Sequence, residues 1–139
     1  MIHDDATLTQ NRAAHPHNST WVEANAGSGK TRVLTDRVAR LLLEGVQPQH
    51  ILCLTYTSEM QNRLFKRLGE WAMLDADKLS ESLVGLGVEH KIDGEFLSRS
   101  RRLFAQAIEA PGGLKIQTIH SFCSSLLRRF PLEAGVSPQ

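Results

Sequence analysis

Cysteine is scarce in this sequence: only Cys53 and Cys123 are present, far apart and each within an apolar run. The two residues do not form a closely spaced pair, which excludes a thiolate metal clip and a CxxC redox motif. We therefore expect both thiols to be buried and reduced, as is usual in a cytosolic protein.

An excess of charge of either sign is also missing. Sixteen Lys and Arg residues against 15 Asp and Glu residues give a net charge of +1. Any binding to nucleic acid must therefore depend on a local arrangement of charges rather than on the overall charge. No apolar run approaches the length that spans a membrane, and the amino terminus lacks a basic segment followed by an apolar one. These absences predict a cytoplasmic protein, and 139 residues suffice for one domain.

The octapeptide ANAGSGKT, residues 24–31, is the most informative stretch that is present. Gly27 and Gly29 let backbone N–H groups turn inward around a polyphosphate, because no Cβ obstructs the turn or the approach. Lys30 adds positive charge for the β- and γ-phosphates, and the Thr31 hydroxyl is a ligand for Mg²⁺. Ala24 stands where the pattern GxxxxGK[ST] has its first glycine, and a small residue fits there. A flexible Gly/Ser turn is the alternative interpretation.

The residues on either side of this motif have the order that a phosphate-binding loop requires. The short apolar run 20–22 predicts a strand before it, and residues 31–45 carry apolar side chains at helical spacing. A helix there would place its amino terminus at the phosphates and would end at Gly45. The motif is therefore expected to bind a nucleotide.

The rest of the chain continues the alternation of strands and helices. ILCLTYT, residues 51–57, predicts a strand buried on both faces of a parallel sheet, followed by a helix from residue 59 to about residue 71. LKIQTIH, residues 114–120, predicts a third strand, and SFCSSLLRRF a helix capped by Ser121. Residues 72–113 predict a helical insertion. The fold class that follows is α/β, with a parallel sheet and flanking helices around a P-loop.

Four motifs in this order resemble the superfamily 1A helicases of the UvrD/Rep kind: Gln10, ANAGSGKT, LTYT and QTIHSF. The strings SxWVxANAGSGKTRVLT and PGGLKIQTIHSFCxxLLRRFPLEAGV also resemble the amino-terminal segment of the AddA family, helicase-nuclease subunits of bacterial AddAB repair enzymes. The resemblance implies that residues 1–139 are the amino-terminal part of a RecA-like ATP-binding domain, an incomplete lobe with the helical insertion 72–113 inside it. It also implies ATP and Mg²⁺ as cofactors, single- or double-stranded DNA ends as the substrate, and a heterodimer with an AddB-type partner.

The same resemblance implies roles for single residues. Gln10 would read the adenine edge, because its amide donates and accepts at once, and Arg32 would make a further nucleotide contact. Tyr56 would stack on a base of single-stranded DNA. The triphosphate and Mg²⁺ would be held by the loop residues, of which Lys30 and Thr31 are the catalytic pair: Ala24, Asn25, Ala26, Gly27, Ser28, Gly29, Lys30 and Thr31. The DNA backbone would be contacted by Thr55, Thr57, Thr118, His120 and Ser121.

Several of these roles have a simpler alternative. Gln10 would then be a solvated glutamine, Tyr56 a core aromatic residue, and His120 a capping or packing residue at a strand-to-helix corner. The pair His15 and His17 suggests a metal site, but two such ligands without further partners rarely form one. The arginines of the last two helices would be solvated helix faces rather than partner or DNA contacts: Arg99, Arg101, Arg102, Arg128 and Arg129.

Two departures from the family pattern affect the expected activity. Between TYT and EM only Ser58 intervenes, so about four residues, roughly one helical turn, are missing. Met60, Leu64 and Leu68 would keep their facing, while the first turn that contacts DNA in the family would be lost. No apolar strand ending in Asp-Glu, the Walker B pattern, occurs in the chain. We therefore expect a fragment or a truncated gene product that does not hydrolyse ATP alone.

Two functions remain open on this basis. The first is the ATP-binding portion of an ATP-dependent DNA helicase of a double-strand-break repair helicase-nuclease. The second is a non-catalytic remnant that binds nucleotide or single-stranded DNA without turnover. A small P-loop phosphotransferase is disfavoured, because no lid-arginine pattern is visible and the TIHSF corner would be unexplained.

Overall fold

Helices surround a short parallel sheet in the computed structural model, which describes residues 5–23, 29–109 and 113–135. The α-helices in these ranges are α1 (Asp5–Ala13), α2 (Lys30–Leu43), α3 (Ser58–Met73), α4 (Ala76–Gly85), α5 (Gly94–Glu109), α6 (Ile119–Arg129) and α7 (Pro131–Ala134). A 3₁₀ turn spans Pro48–His50, and the strands are β1 (Leu52–Thr55) and β2 (Lys115–Thr118). None of the helices in the described ranges has both the length and the apolar character that crossing a membrane requires.

The two strands pair in parallel, with Leu52 opposite Lys115 and Thr55 opposite Thr118. Both strands were expected from the sequence, and α3, α4 and α5 form the crossover that a parallel pair needs. The expectation that residues 51–57 are buried on both faces is wrong. Leu52 and Leu54 are 48% and 41% exposed, whereas Cys53 lies in the core. Successive side chains point to opposite faces of a sheet, and the core covers only one face here.

The strand predicted at residues 20–22, ahead of the phosphate-binding motif, is not formed. These residues have no regular structure, and the Trp21 side chain is 90% exposed. A strand is stabilised by hydrogen bonds to a neighbouring strand, and the sheet in the described ranges consists of β1 and β2 alone. The apolar pattern of this run is therefore not sufficient to make it a strand.

The core is centred on the packing of α3 against α5. The rings of Trp71 and Phe104 lie 5.6 Å apart between their centroids, and Leu64 and Leu68 of α3 are fully buried. The shortened connection before α3 thus leaves Leu64 and Leu68 facing the core, as expected, and Met60 is half-buried. The largest fully buried side chains are those of Leu42, Leu64, Leu68, Leu79, Leu83 and Phe104. Helix α5, which lies in the predicted insertion, is thus part of the core.

Three predictions about local surroundings need correction. The cap of α6 is Thr118, whose Oγ1 accepts from Ser121 N at 3.2 Å, and Ser121 itself lies inside the helix. Cys53 is buried as expected. Cys123 is exposed, and it lies on α6, a helix without a buried residue. Arg101 is not simply solvated: its guanidinium donates to Leu74 O at 2.9 and 3.2 Å and so satisfies a carbonyl at the end of α3.

Candidate functional site

The first turn of α2 carries the described part of the phosphate-binding motif. Gly29 has a left-handed backbone, with φ of 91°, and α2 begins at the next residue, Lys30. Thr35 Oγ1 donates to Thr31 O at 2.8 Å, and no side chain of the described residues caps this helix start. A helix start without a capping side chain offers its N–H groups and its positive dipole end to an anion. The predicted phosphate contacts of Ala24, Asn25, Ala26, Gly27 and Ser28 lie outside the described residues.

The side chain of Gln10 lies directly against this turn. A Cβ built on Gly29 would stand 3.1 Å from Gln10 Nε2. Gln10 is half-buried on α1, so it is not a freely solvated glutamine. The pattern of apolar residues did not predict α1, because this helix has no buried residue and its sequence is polar throughout. The structure nevertheless brings together Gln10 and the Gly-Lys-Thr turn, two features that the sequence separates by some twenty residues.

Two arginines of α2 hold α1 in this position. Arg37 donates to three backbone carbonyls that follow or end α1: Ala13 O at 3.3 Å, His15 O at 3.0 Å and Asn18 O at 2.6 Å. Arg40 donates to Asn11 O at 3.1 Å. Carbonyls at a helix end have no partner within the helix, and a guanidinium can satisfy several of them at once. Nothing in the sequence indicates this role beyond two arginines spaced three apart on one helix.

A cavity lies on the Lys30 side of the turn. It has a volume of about 420 Å³ and is lined by side chains of α1, the following segment and α2: Ala13, Ser19, Thr20, Val22, Lys30, Val33, Leu34 and Arg37. The Lys30 side chain is exposed at its edge. The cavity therefore offers room beside the helix start for part of a ligand bound there.

Arg32 and Asp36 lie on another side of α2. Asp36 is 5% exposed, and its carboxylate pairs with Arg67 of α3 at 3.7 Å and with Arg32 at 3.9 Å. Burial raises the pKa of the Asp36 carboxyl, and the neighbouring arginines Arg67, Arg32 and Arg40 offset this only in part. Arg32 is thus engaged with Asp36, and its predicted nucleotide contact stays a prediction.

The predicted DNA contacts lie at the carboxyl edge of the sheet. Tyr56 directly follows β1 and is 81% exposed, so the alternative of a core aromatic residue is wrong. Thr57 caps α3 by accepting from Met60 N at 3.2 Å. Thr55 does not fit a phosphate contact, because it is 3% exposed and its hydroxyl faces the carbonyls of Thr57 and Gln117 at 3.2 and 3.4 Å.

The second half of this edge follows β2. Thr118 is half-buried and caps α6, while His120 and Ser121 are exposed in the first turn of that helix. Thr55 at the end of β1 pairs with Thr118 at the end of β2. Helix α3 begins three residues after Thr55 and α6 directly after Thr118, so both helices start at the same edge of the sheet. Two helix amino termini with exposed polar side chains and an exposed aromatic ring form a surface suited to a polyanion.

These features define an α/β domain in which a helix starts with Gly-Lys-Thr and two further helices start at the edge of a parallel sheet. The family model described as the UvrD/REP helicase N-terminal domain matches residues 6–139. The chain therefore belongs to this family, and the resemblance seen in its motifs is confirmed.

Curated relatives agree with this assignment. The chain is similar to an ATP-dependent helicase/nuclease subunit of Lactobacillus johnsonii, with 31% identity over 134 residues, or 96% of this chain and 10% of the relative. The corresponding protein of Lactobacillus gasseri is 33% identical over 118 residues, 85% of this chain and 8% of the relative. The ATP-dependent DNA helicase SRS2 of Saccharomyces cerevisiae is 40% identical over 81 residues, 55% of this chain and 7% of the relative. The chain thus spans 10% or less of the length of these relatives.

Proposed function

We propose that the chain is the ATP-binding portion of an ATP-dependent DNA helicase of a double-strand-break repair helicase-nuclease, with a RecA-like P-loop fold. The observation that carries this proposal is the contact of Gln10 with the Gly29 turn at the start of α2. One side chain able to recognise a base by both donating and accepting thus lies beside a helix start able to hold phosphates.

In this proposal each described residue of the turn has its own task. Lys30 supplies positive charge to the β- and γ-phosphates, Thr31 supplies a hydroxyl ligand to Mg²⁺, and Gln10 selects adenine. When bound, Mg²⁺ would supply charge that neutralises the phosphates of ATP, and Gly29 lets the backbone approach these phosphates closely. Arg32 is a further nucleotide contact once it leaves Asp36.

The edge where α3 and α6 begin is proposed to hold single-stranded DNA. Tyr56 stacks on a base, and Thr57, Thr118, His120 and Ser121 contact the backbone. The exposure of Tyr56 and of His120 and Ser121 in the first turn of α6 supports this assignment. DNA ends as the substrate, a cytoplasmic location and a heterodimer with an AddB-type partner are part of the same proposal. The similarity to relatives named ATP-dependent helicase/nuclease subunits supports a DNA-processing activity and the presence of a further subunit.

Binding without turnover is the second candidate function. It is favoured by the sequence, in which no apolar strand ending in Asp-Glu supplies the carboxylates that order Mg²⁺ and the attacking water. In that case the chain would bind Mg²⁺-ATP as the first candidate does but would hydrolyse it no faster than a Lys30→Ala variant, even with single-stranded DNA present. ATP turnover of the parent above that variant would favour the first candidate.

Titration with a fluorescent ATP analogue in the presence of Mg²⁺ tests nucleotide binding itself. We expect Lys30→Ala to abolish binding while the circular dichroism spectrum is unchanged, because the exposed Lys30 side chain contributes charge rather than packing. Lys91→Ala, which removes an exposed lysine from the loop before α5, is the matched control and should bind like the parent. Equal affinities of parent and Lys30→Ala would exclude the proposed nucleotide site.

A further inference from the structure

A second cleft opens on the other side of the α2 start, between its first turn and the outer face of α3. It has a volume of about 270 Å³, and Thr31 forms part of its wall. Arg63, Lys66 and Arg67 line it from α3, where their spacing of three and four residues places them on one face of the helix. Arg32 lines it from α2. Four cationic side chains thus face a single concave space beside the proposed nucleotide site.

Arg67 is held in place from two sides. Its guanidinium lies over the Trp71 ring, 4.8 Å from the centroid, and its Nη2 lies 3.7 Å from Asp36 Oδ1. Its Nε is buried and has no hydrogen-bond partner among the described residues. A guanidinium fixed in this way has already lost most of its rotamer freedom, so an anion that it binds does not have to order it.

The carboxylates near the cleft do not neutralise it. Glu70 is the acidic residue in its wall, with Oε1 4.0 Å from Lys66 Nζ, and Glu59 pairs with Arg63 from the preceding turn. Asp36 lies buried behind Arg32 and Arg67 and pairs with both. Among the residues that the structure describes, four cations therefore stand against three carboxylates, of which one is buried away from the opening. An excess of positive charge in a concave space favours an anion and disfavours a bare metal cation.

We propose that this cleft binds a phosphate group, which is either the terminal phosphate of a nucleoside triphosphate bound at the α2 start or free orthophosphate. The proposal rests on the proposed function, since Thr31 belongs to both sites, and it adds the α3 residues Arg63 and Lys66 as phosphate contacts. A nucleic acid strand fits less well, because none of the described residues that line the cleft is an aromatic residue able to stack on a base. The exposed Tyr56 lies at the sheet edge instead.

The test compares nucleotides that differ by one phosphate. Binding of fluorescent ATP and ADP analogues is measured with Mg²⁺ for the parent, Arg63→Ala, Lys66→Ala and the double variant, and binding of sodium phosphate is measured by calorimetry. Both side chains are exposed, so the variants should fold. We expect each to weaken ATP binding by about tenfold, the effect of one charge-assisted hydrogen bond, with ADP binding unchanged. Arg102→Ala, at an exposed position of α5, is the matched control and should bind like the parent.

The source of the phosphate follows from the calorimetry. Phosphate binding is measured with ADP already bound. If phosphate binds the parent but not the double variant, the cleft is a site for the free anion as well. If the double variant has the same ATP-to-ADP affinity ratio and the same phosphate affinity as the parent, the proposed phosphate site is wrong. This holds even when Lys30→Ala abolishes nucleotide binding. Loss of single-stranded oligonucleotide binding alone in the double variant also overturns it, in favour of a nucleic acid contact.

The same measurements distinguish an error in the proposed nucleotide site from an error in the phosphate site. If the parent binds no nucleotide but binds phosphate in a manner that depends on Arg63 and Lys66, the proposed nucleotide site is excluded and the phosphate site stands. If the parent binds neither nucleotide nor phosphate, both proposals are excluded.

Discussion

At Gly29 the backbone conformation and a neighbouring side chain both favour glycine. Its φ of 91° costs an alanine about 1–2 kcal/mol, and a Cβ there would press on the amide of Gln10 at 3.1 Å. Gly45 has the same φ of 91°, but apart from its chain neighbours no atom of the described residues lies within 4 Å of its Cβ position. The two glycines therefore share the backbone requirement and differ only in the contact with Gln10.

We predict that Gly29→Ala and Gly45→Ala lower the free energy of unfolding by similar amounts, about 1–2 kcal/mol each. Only Gly29→Ala should also weaken binding of an ATP analogue, because only this Cβ displaces Gln10 from the turn. Urea denaturation and fluorescence titration measure the two effects. Similar nucleotide affinities for the two variants would mean that the contact between Gln10 and Gly29 has no part in binding.

Asp36 makes the stability of the chain depend on pH. Burial raises the pKa of its carboxyl above the ordinary value of 3.8, so the folded state holds this proton more tightly than the unfolded state. The folded state therefore loses stability relative to the unfolded state as the pH rises from 3.8 through the folded pKa. Asp36→Asn removes this titration. We predict that the free energy of unfolding of Asp36→Asn, relative to the parent, increases as the pH rises through this range in urea denaturation.

The matched control for this prediction is Asp77→Asn, at an exposed position in the first turn of α4. The difference in free energy of unfolding between Asp77→Asn and the parent gives the baseline for a substitution of the same kind that leaves Asp36 in place. A difference between Asp36→Asn and the parent that falls with rising pH would show that the ion pairs with Arg67 and Arg32 outweigh the cost of burial.

At the scale of elements, α1 is held to α2 mainly through polar contacts, because α1 has no buried residue. We predict that Arg37→Ala lowers the free energy of unfolding by about 1–3 kcal/mol, since three carbonyls lose a charged donor. Hydrogen exchange of the amides of residues 14, 15, 17 and 18 should become faster, and the affinity for ATP should fall because Gln10 moves with α1. Arg12→Ala, at an exposed position of α1, is the control and should leave exchange in this segment unchanged.

The elements also show what the sequence was able to predict. Helices α2, α3 and α5 have regularly spaced apolar residues that are buried, so their period reveals them: Leu42, Leu64 and Phe104 are examples. Helix α1 escapes such a prediction because its contacts are made by Arg37 and Arg40 of another helix, which leave no apolar period in its own sequence. The strand predicted around Trp21 failed for the converse reason, since an apolar run does not reveal whether a neighbouring strand is present to pair with it.

The residues of the candidate site also fall into those that a local motif predicts and those whose surroundings depend on distant parts of the chain. Lys30 and Thr31 were predicted from a motif whose residue types are fixed by phosphate chemistry, and the structure places them in the first turn of a helix, as expected. The burial of Thr55 depends on its pairing with Thr118, which lies far along the chain and leaves no trace near Thr55. The sequence shows the cations of α3 only as separate charges. The cleft that they line is formed by the packing of α2 beside α3, which the sequence does not reveal.

For the whole molecule, apolar side chains on one face of the sheet and on α6 remain uncovered. Besides Leu52 and Leu54, four further apolar residues at the end of the described chain are each more than 40% exposed. They are Leu126 and Leu127 of α6, Phe130 between the helices, and Leu132 of α7. We predict that the isolated chain binds a hydrophobic dye and associates at high concentration, because surfaces of this kind are rare on monomeric proteins. Fluorescence of the dye and sedimentation velocity measure the two properties.

Polar substitutions should reverse this behaviour. Leu54→Thr keeps strand propensity and Leu126→Gln keeps helix propensity, so the double variant should remain folded with weaker dye binding and association. Met73→Gln changes an exposed methionine at the end of α3 and is the control, which should behave like the parent. A parent chain that stays monomeric at all concentrations and binds no dye would show that the uncovered face is harmless.

The pairing of β1 with β2 also has a consequence for the order in which the chain folds. Leu52 meets Lys115 only after the segment between them has closed into a loop, and α3, α4 and α5 occupy that loop. Closing a long loop costs chain entropy, which is lower once the helices within it have shortened the path. We therefore expect the helical core to form before the sheet, and the edge that carries Tyr56, Thr57 and His120 to be assembled last. For the same reason we expect this edge to separate first when the native state opens locally, while the packing of α3 against α5 persists.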